Sequence, residues 1–162
     1  MEPKDIRLNK LTKLAKAEQD KQNAIAEAKE EEFLEWKKWL QGFAKRAPTL
    51  CHYCELMLAA KVAIPEATYS SGYKYDRDVT LSYHDYSFGK GIVMDDPNTG
   101  GCGSRLDMIG HDGTFIRSDN GVKAALAKKD SARDRDDKYI IVRFAKLAAE
   151  WEKQLIALID RL

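Results

Sequence analysis

From Lys4 to Ala47 the chain contains one glycine, Gly42, and no proline, and is dense in Lys, Glu, Ala, Leu and Gln. Such residues lose little side-chain freedom in a helix, so a run of this length is committed to one local conformation. Pro3 stands where a first-turn proline is tolerated. Pro48 is expected to close the helix, because it lacks a backbone donor and disfavours helix in Ala47. Within the run the apolar signal changes. Ile6, Leu8, Leu11, Leu14 and Ile25 are sparse and drift around the helix, whereas Phe33, Trp36, Leu40 and Phe43 recur at spacings of three and four. Residues 1–30 therefore read as an exposed helical arm, and residues 31–162 as a single α+β globular domain.

A second helix is expected from about Leu50 to Ala63, capped by Thr49 and closed by Pro65, with Leu50, Cys54, Met57, Leu58 and Val62 on its apolar face. The composition then shifts. Residues 67–120 are rich in Tyr, Thr, Val, Ile, Gly and Asp and alternate as strands do. "DVTLSYHDYSFGKGIVMDD" reads as two strands around a turn near Asp85. "RLDMIGHDGTFIRSD" reads as a hairpin turning at His111-Asp112-Gly113, where Asp-Gly is a preferred turn pair. A small antiparallel sheet of three to five strands follows, and the lack of βαβ alternation argues against a parallel nucleotide-binding sheet. Asn120 is placed to cap a short helix over Gly121–Lys129. Ile140, Phe144, Leu147, Trp151, Leu155, Leu158 and Leu162 then mark a long C-terminal amphipathic helix, with Ile141, Ala148 and Ile159 widening the stripe. Tyr139–Val142 reads equally as a strand leading into it. The fold class is α+β: two long helices flanking a small antiparallel sheet, with the C-terminal helix packed on the Phe33–Phe43 stripe.

The totals narrow the function classes. At 162 residues the chain can bury a core without staples, and 44% hydrophobic with 33% charged residues suits a soluble protein. A net charge of +1 sets up no global field for nucleic acid or an anionic membrane. There is no apolar run of about 18 residues and no apolar leader at the N-terminus. Three cysteines cannot all pair within one chain, so the cytoplasm is the expected compartment.

Cys51, Cys54, Cys102 and His111, with His84 as another fourth ligand, can be written as a Cys3His zinc site. Against zinc, "CHYC" runs straight into "ELMLAAK". On a helix Cys51 and Cys54 share a face with Met57 and Leu58 and behave as small hydrophobes, which is the preferred reading. A thioredoxin-like pair would follow a strand, and here a helix precedes it. Asp76 and Asp78 would share one strand face able to hold a divalent metal, and Asp136-Asp137-Lys138 has the form of half a nuclease core with Asp95 or Asp96 as its partner acid. Aspartate also populates turns for local reasons. No nucleophile–histidine pair and no phosphate loop is recognisable.

Lys4, Arg7, Lys10, Lys13 and Lys16 make the N-terminal tip basic, and Lys10, Lys13 and Lys16 would lead any nucleic-acid contact. The band Glu27, Glu30, Glu31, Glu32 and Glu35 that follows would repel phosphate, so the pattern fits protein pairing better. Tyrosine is enriched at binding hot spots, and Tyr73, Tyr75, Tyr83 and Tyr86, with Asp76 and Asp78, are the candidate partner face. The expectation is a non-enzymatic interaction protein: an inhibitor, adaptor or accessory factor of the rapidly diverging kind phages encode. It would have no cofactor, and its helices could self-associate. Alternatives are a zinc-stabilised module or metal-dependent hydrolase, and, third, a nucleic-acid binder.

Overall fold

A computed structural model describes residues 3–98, 104–118 and 121–162. One helix, α1, runs from Pro3 to Ala59 with Pro48 inside it, so the expected break into two helices does not occur. The reason lies in packing. Leu40, Phe43, Ala47, Leu50, Cys51, Cys54 and Met57 are all buried, and their spacing stays in phase across the proline. Tertiary burial of that stripe outweighs one missing hydrogen bond, since each large apolar side chain contributes about 1.5–3 kcal/mol. The helix ends four residues earlier than Ala63. Lys61 takes a positive φ of 58°, Val62 N–H donates to Met57 O at 2.9 Å, and Lys61 N–H donates to Leu58 O at 3.1 Å. This is a Schellman closure in which a lysine occupies the position glycine usually takes.

The chain divides into two units, Met1–Glu35 and Trp36–Leu162. In the first, residues 3–32 are exposed throughout and Phe33 is buried. In the second, five antiparallel strands pair in sequence order: β1 (Ala67–Tyr69), β2 (Val79–Tyr86), β3 (Gly89–Asp96), β4 (Arg105–Gly110) and β5 (Phe115–Ser118). Tyr86 pairs with Gly89, so the first hairpin turns at Ser87-Phe88, two residues beyond the expected Asp85, which pairs with Lys90 inside the ladder. The second hairpin turns where expected, at residues 111–114, with Gly113 at φ 82°.

The register sorts the sheet into two faces. Leu81, Tyr83, Ile92, Met94, Ile109 and Phe115 share the face toward the helices, shown by Phe115 edge-on to Phe144 at 5.4 Å. Ser82, His84 and Tyr86 of β2 share the other.

A short helix, α2 (Val122–Ala127), and α3 (Arg135–Asp160) complete the domain. The expected cap of α2, Asn120, lies outside the described residues. Asp107, buried on β4, accepts from the Val122 N–H at 2.9 Å. Asp134 caps α3 reciprocally with Asp137, and Tyr139–Val142 is helical. At this end Ile141, expected to widen the stripe, is buried together with Ala145, while Ile140 is half-buried. Further along, Phe144, Leu147, Trp151 and Leu155 are buried as the spacing predicts, whereas Leu158 is half-buried and Leu162, beyond the end of α3, is exposed.

Helices α1 and α3 meet through Phe43 and Trp151 (edge-on, 6.4 Å) and through Arg46, whose guanidinium forks onto Glu152 at 2.8 and 2.9 Å. The Trp151 indole N–H donates to Pro65 O at 2.9 Å, and Ser82 donates to the same carbonyl at 2.7 Å, tying α3 to β2 through the segment before β1. Among the described residues no helix is long and apolar enough to cross a membrane.

Candidate functional site

Cys51 and Cys54 project from α1 into the core and are fully buried. Burial, then the nearby Glu55 carboxylate, pushes the Cys51 thiol up to about 12; burial and then Cys51 push Cys54 to about 12. Thiols so disposed are poor nucleophiles. One turn on from Cys51, Glu55 reaches His111 in the β4–β5 turn, with Oε1 2.8 Å from Nδ1, and His111 Nε2 lies 2.8 Å from the Tyr83 hydroxyl. A neutral ring donates through Nδ1 to the carboxylate and accepts the phenol proton at Nε2. Carboxylate, imidazole and hydroxyl in series is the arrangement that activates a nucleophile. Here, however, burial foremost, then Glu55, raises the Tyr83 pKa, and the residue is 5% exposed. The phenol stays protonated and inaccessible, so the chain of bonds cross-links α1, β2 and the hairpin turn.

Of the zinc alternative, this geometry brings Cys51 and Cys54 to one helix face and engages both ring nitrogens of His111. Cys102 lies outside the described residues. No group of three or more His, Cys, Asp or Glu among the described residues is arranged to hold a metal ion.

The acidic candidates disperse. Asp76 and Asp78 sit in the loop before β2, not on one face of a strand; Asp76 Oδ2 accepts from Ser71 Oγ at 2.7 Å, and Asp78 is exposed. Asp136, Asp137 and Lys138 lie in the first turn of α3 instead of a strand. Asp137 accepts from the Asp134 N–H (3.0 Å) and from Lys128 (2.9 Å), which is helix-capping chemistry. Asp96 is buried beneath two guanidiniums, Arg143 at 2.9 Å and Arg105 at 3.4 Å, and joins β3, β4 and α3.

The candidate tyrosines divide as well. Tyr73 and Tyr75 are in the β1–β2 loop, Tyr75 90% exposed, and Tyr83 is inside. Tyr86 stands on the outer sheet face in a row of rings: His84 stacks on it at 5.1 Å and 10°, and Phe88 at 4.9 Å and 15°. Glycines flank the row. Gly91 pairs with His84 and Gly89 with Tyr86, and an added Cβ at Gly89 would lie 3.2 Å from Ile116 Cδ1, itself exposed on β5. At Gly91 a side chain would overlap the Ile109 carbonyl. The row thus borders a strand with no side chains at the paired positions. Asp95, also on this outer face, has a buried Oδ1 without a hydrogen-bond partner among the described residues. Burial first, then the Asp95 charge, raises the Tyr86 pKa.

Glu55, Phe88, Ile116 and Arg143 carry these arrangements and escape sequence reasoning. The period-two aromatics in "HDYSF" were the available signal for Phe88. Glu55, Ile116 and Arg143 have none, because their partners are far away in the chain.

Elsewhere, an open groove of about 580 Å³ between α1 and α3 is lined by Trp39, Arg46, Tyr53, Glu152 and Ile156. Its Arg46 is held by Glu152 and lies over the Trp39 ring at 5.4 Å. Lys10, Lys13 and Lys16 are exposed on the helix of the first unit, spread around it by their period of three. No family model, no curated protein and no solved structure matches the chain.

Proposed function

We propose that the chain is a non-enzymatic interaction protein, an adaptor or inhibitor, whose outer β2–β3 face takes an arginine-bearing segment of a protein partner. The observation that carries this reading is the stacked row His84, Tyr86 and Phe88, with Phe88 52% exposed. A guanidinium stacks on aromatic faces and prefers them to bulk water when a carboxylate is near, the role available to Asp95. Gly89 and Gly91, paired with Tyr86 and His84, set no side chain of their own beside the rings, and Ile116 and Met108 border the row there. Tyr75 and Tyr73, exposed in the β1–β2 loop, are further contacts for the same partner class.

The test is a titration of the labelled full chain, followed by NMR, with a short arginine–glycine peptide and with a glutamate–glycine peptide of equal length. The arginine peptide is expected to shift the His84, Tyr86 and Phe88 resonances, with Phe88→Ala weakening it about threefold to tenfold. Equal response to both peptides, or an unchanged affinity in a folded Phe88→Ala variant, would overturn the proposal.

A further inference from the structure

The helix of the first unit bears a seam whose occupants point to a second copy of this chain. Positions 4, 7, 11, 14, 18, 21, 25, 28, 32 and 35 alternate spacings of three and four, the repeat that keeps one side of a helix against another. Lys4 and Arg7 open this seam and Glu32 and Glu35 close it. Between them come two apolar positions, Leu11 and Leu14, then Glu18 and Lys21, then Ile25 and Ala28. The apolar members are uncovered: Leu11 is 64% exposed, Leu14 58% and Ile25 40%.

We propose that two copies pair antiparallel along residues 4–35, with Leu14 of one facing Ile25 of the other. That register sets Leu11 against Ala28, Lys4 against Glu35, Arg7 against Glu32, and Glu18 against Lys21. Every layer is then apolar on apolar or opposite charge on opposite charge. The twofold axis falls between Glu18 and Lys21, so each pairing occurs twice. A parallel pair in register would set Lys4, Arg7, Glu18, Lys21, Glu32 and Glu35 each against its own copy, like charge on like charge. The basic tip and acidic band are thus one device: each half of the arm complements the other half when the helix meets itself reversed. This pairing is independent of the sheet face. Apolar layers are few, so the association is concentration-dependent, and its ionic layers are weakened by salt.

Sedimentation equilibrium of the full chain is expected to show a monomer–dimer equilibrium. Lys4→Glu with Arg7→Glu should weaken the dimer about tenfold or more, since four ionic layers become repulsive. Adding Glu32→Arg and Glu35→Lys restores every layer in the antiparallel pair and should return the dissociation constant to within about threefold of the parent. Circular dichroism checks that each variant keeps its helix. A monomer at all concentrations, a species larger than a dimer, indifference to the first reversal, or failure of the second to rescue would each overturn the proposal.

Discussion

Replacing Gly113 by alanine probes how α1 tolerates its internal proline. Pro48 has no N–H, so the Ala44 carbonyl receives no bond from the residue four further on. The β4–β5 turn comes up against that oxygen: a Cβ on Gly113 would overlap it and lie 3.6 Å from Pro48 Cδ. Gly113 also has a φ of 82°, which costs an L-residue about 1–2 kcal/mol. The overlapped atom is helix backbone and cannot swing aside, so overpacking adds about 1–3 kcal/mol. Gly72 is the control. Its φ is 79°, yet among the described residues nothing lies within 4 Å of an added Cβ. Both substitutions regain about 0.4–1 kcal/mol by stiffening the unfolded chain, a contribution that cancels in the comparison. Gly113→Ala should therefore be less stable than Gly72→Ala by about 1–3 kcal/mol. With a urea dependence of about 2 kcal/mol per molar, the midpoints should differ by about 0.5–1.5 M in unfolding followed by circular dichroism. Midpoints within about 0.2 M of each other would refute the close approach of the hairpin to Ala44.

Two further outcomes follow from the perturbed groups. In a Cys102→Ser variant, Cys51 and Cys54 should react with a disulfide reagent at about pH 8 roughly a thousandfold more slowly than free thiols, because raising a thiol from its ordinary value to about 12 depletes the thiolate in that proportion; rapid loss of either thiol in the folded protein would contradict their placement. Lys128 foremost, then the Asp134 backbone N–H, holds the Asp137 carboxyl below the ordinary 3.8. Its folded pKa is depressed, so its stabilisation is complete above that ordinary value and fades as pH falls through the folded one. Asp137→Asn should lower Tm near neutrality, and the gap to the parent should narrow below about pH 4 in scans across that range; a gap that widens on acidification has the wrong sign.

Much of the architecture was legible in residue order because it rests on local periodicity. The C-terminal helix announces itself through Phe144, Leu147, Trp151 and Leu155, and the second hairpin through Asp112-Gly113. Pro48 misleads because its cost is local and visible, whereas the stripe from Leu40 to Met57 that overrides it gains from a sheet whose residues lie farther along the chain. Asp85 misleads in the same way. It has the chemistry of a turn residue, but the ladder continues to Tyr86 and Gly89.

The candidate site was less legible. Tyrosines close in sequence suggested one face, but strand alternation sends Tyr83 inward to His111 and Tyr86 outward to His84 and Phe88, and Tyr73 and Tyr75 are in a loop. Composition and period were enough for helix, sheet and helix in that order, and for the burial of Cys51 and Cys54, since each rests on neighbours within a few turns. The Glu55–His111–Tyr83 chain, the paired guanidiniums on Asp96 and the Gly113 contact with Ala44 needed the folded chain. Apart from Arg105, nine positions from Asp96, each joins residues tens of positions apart, and no propensity of either partner specifies the distance at which they meet.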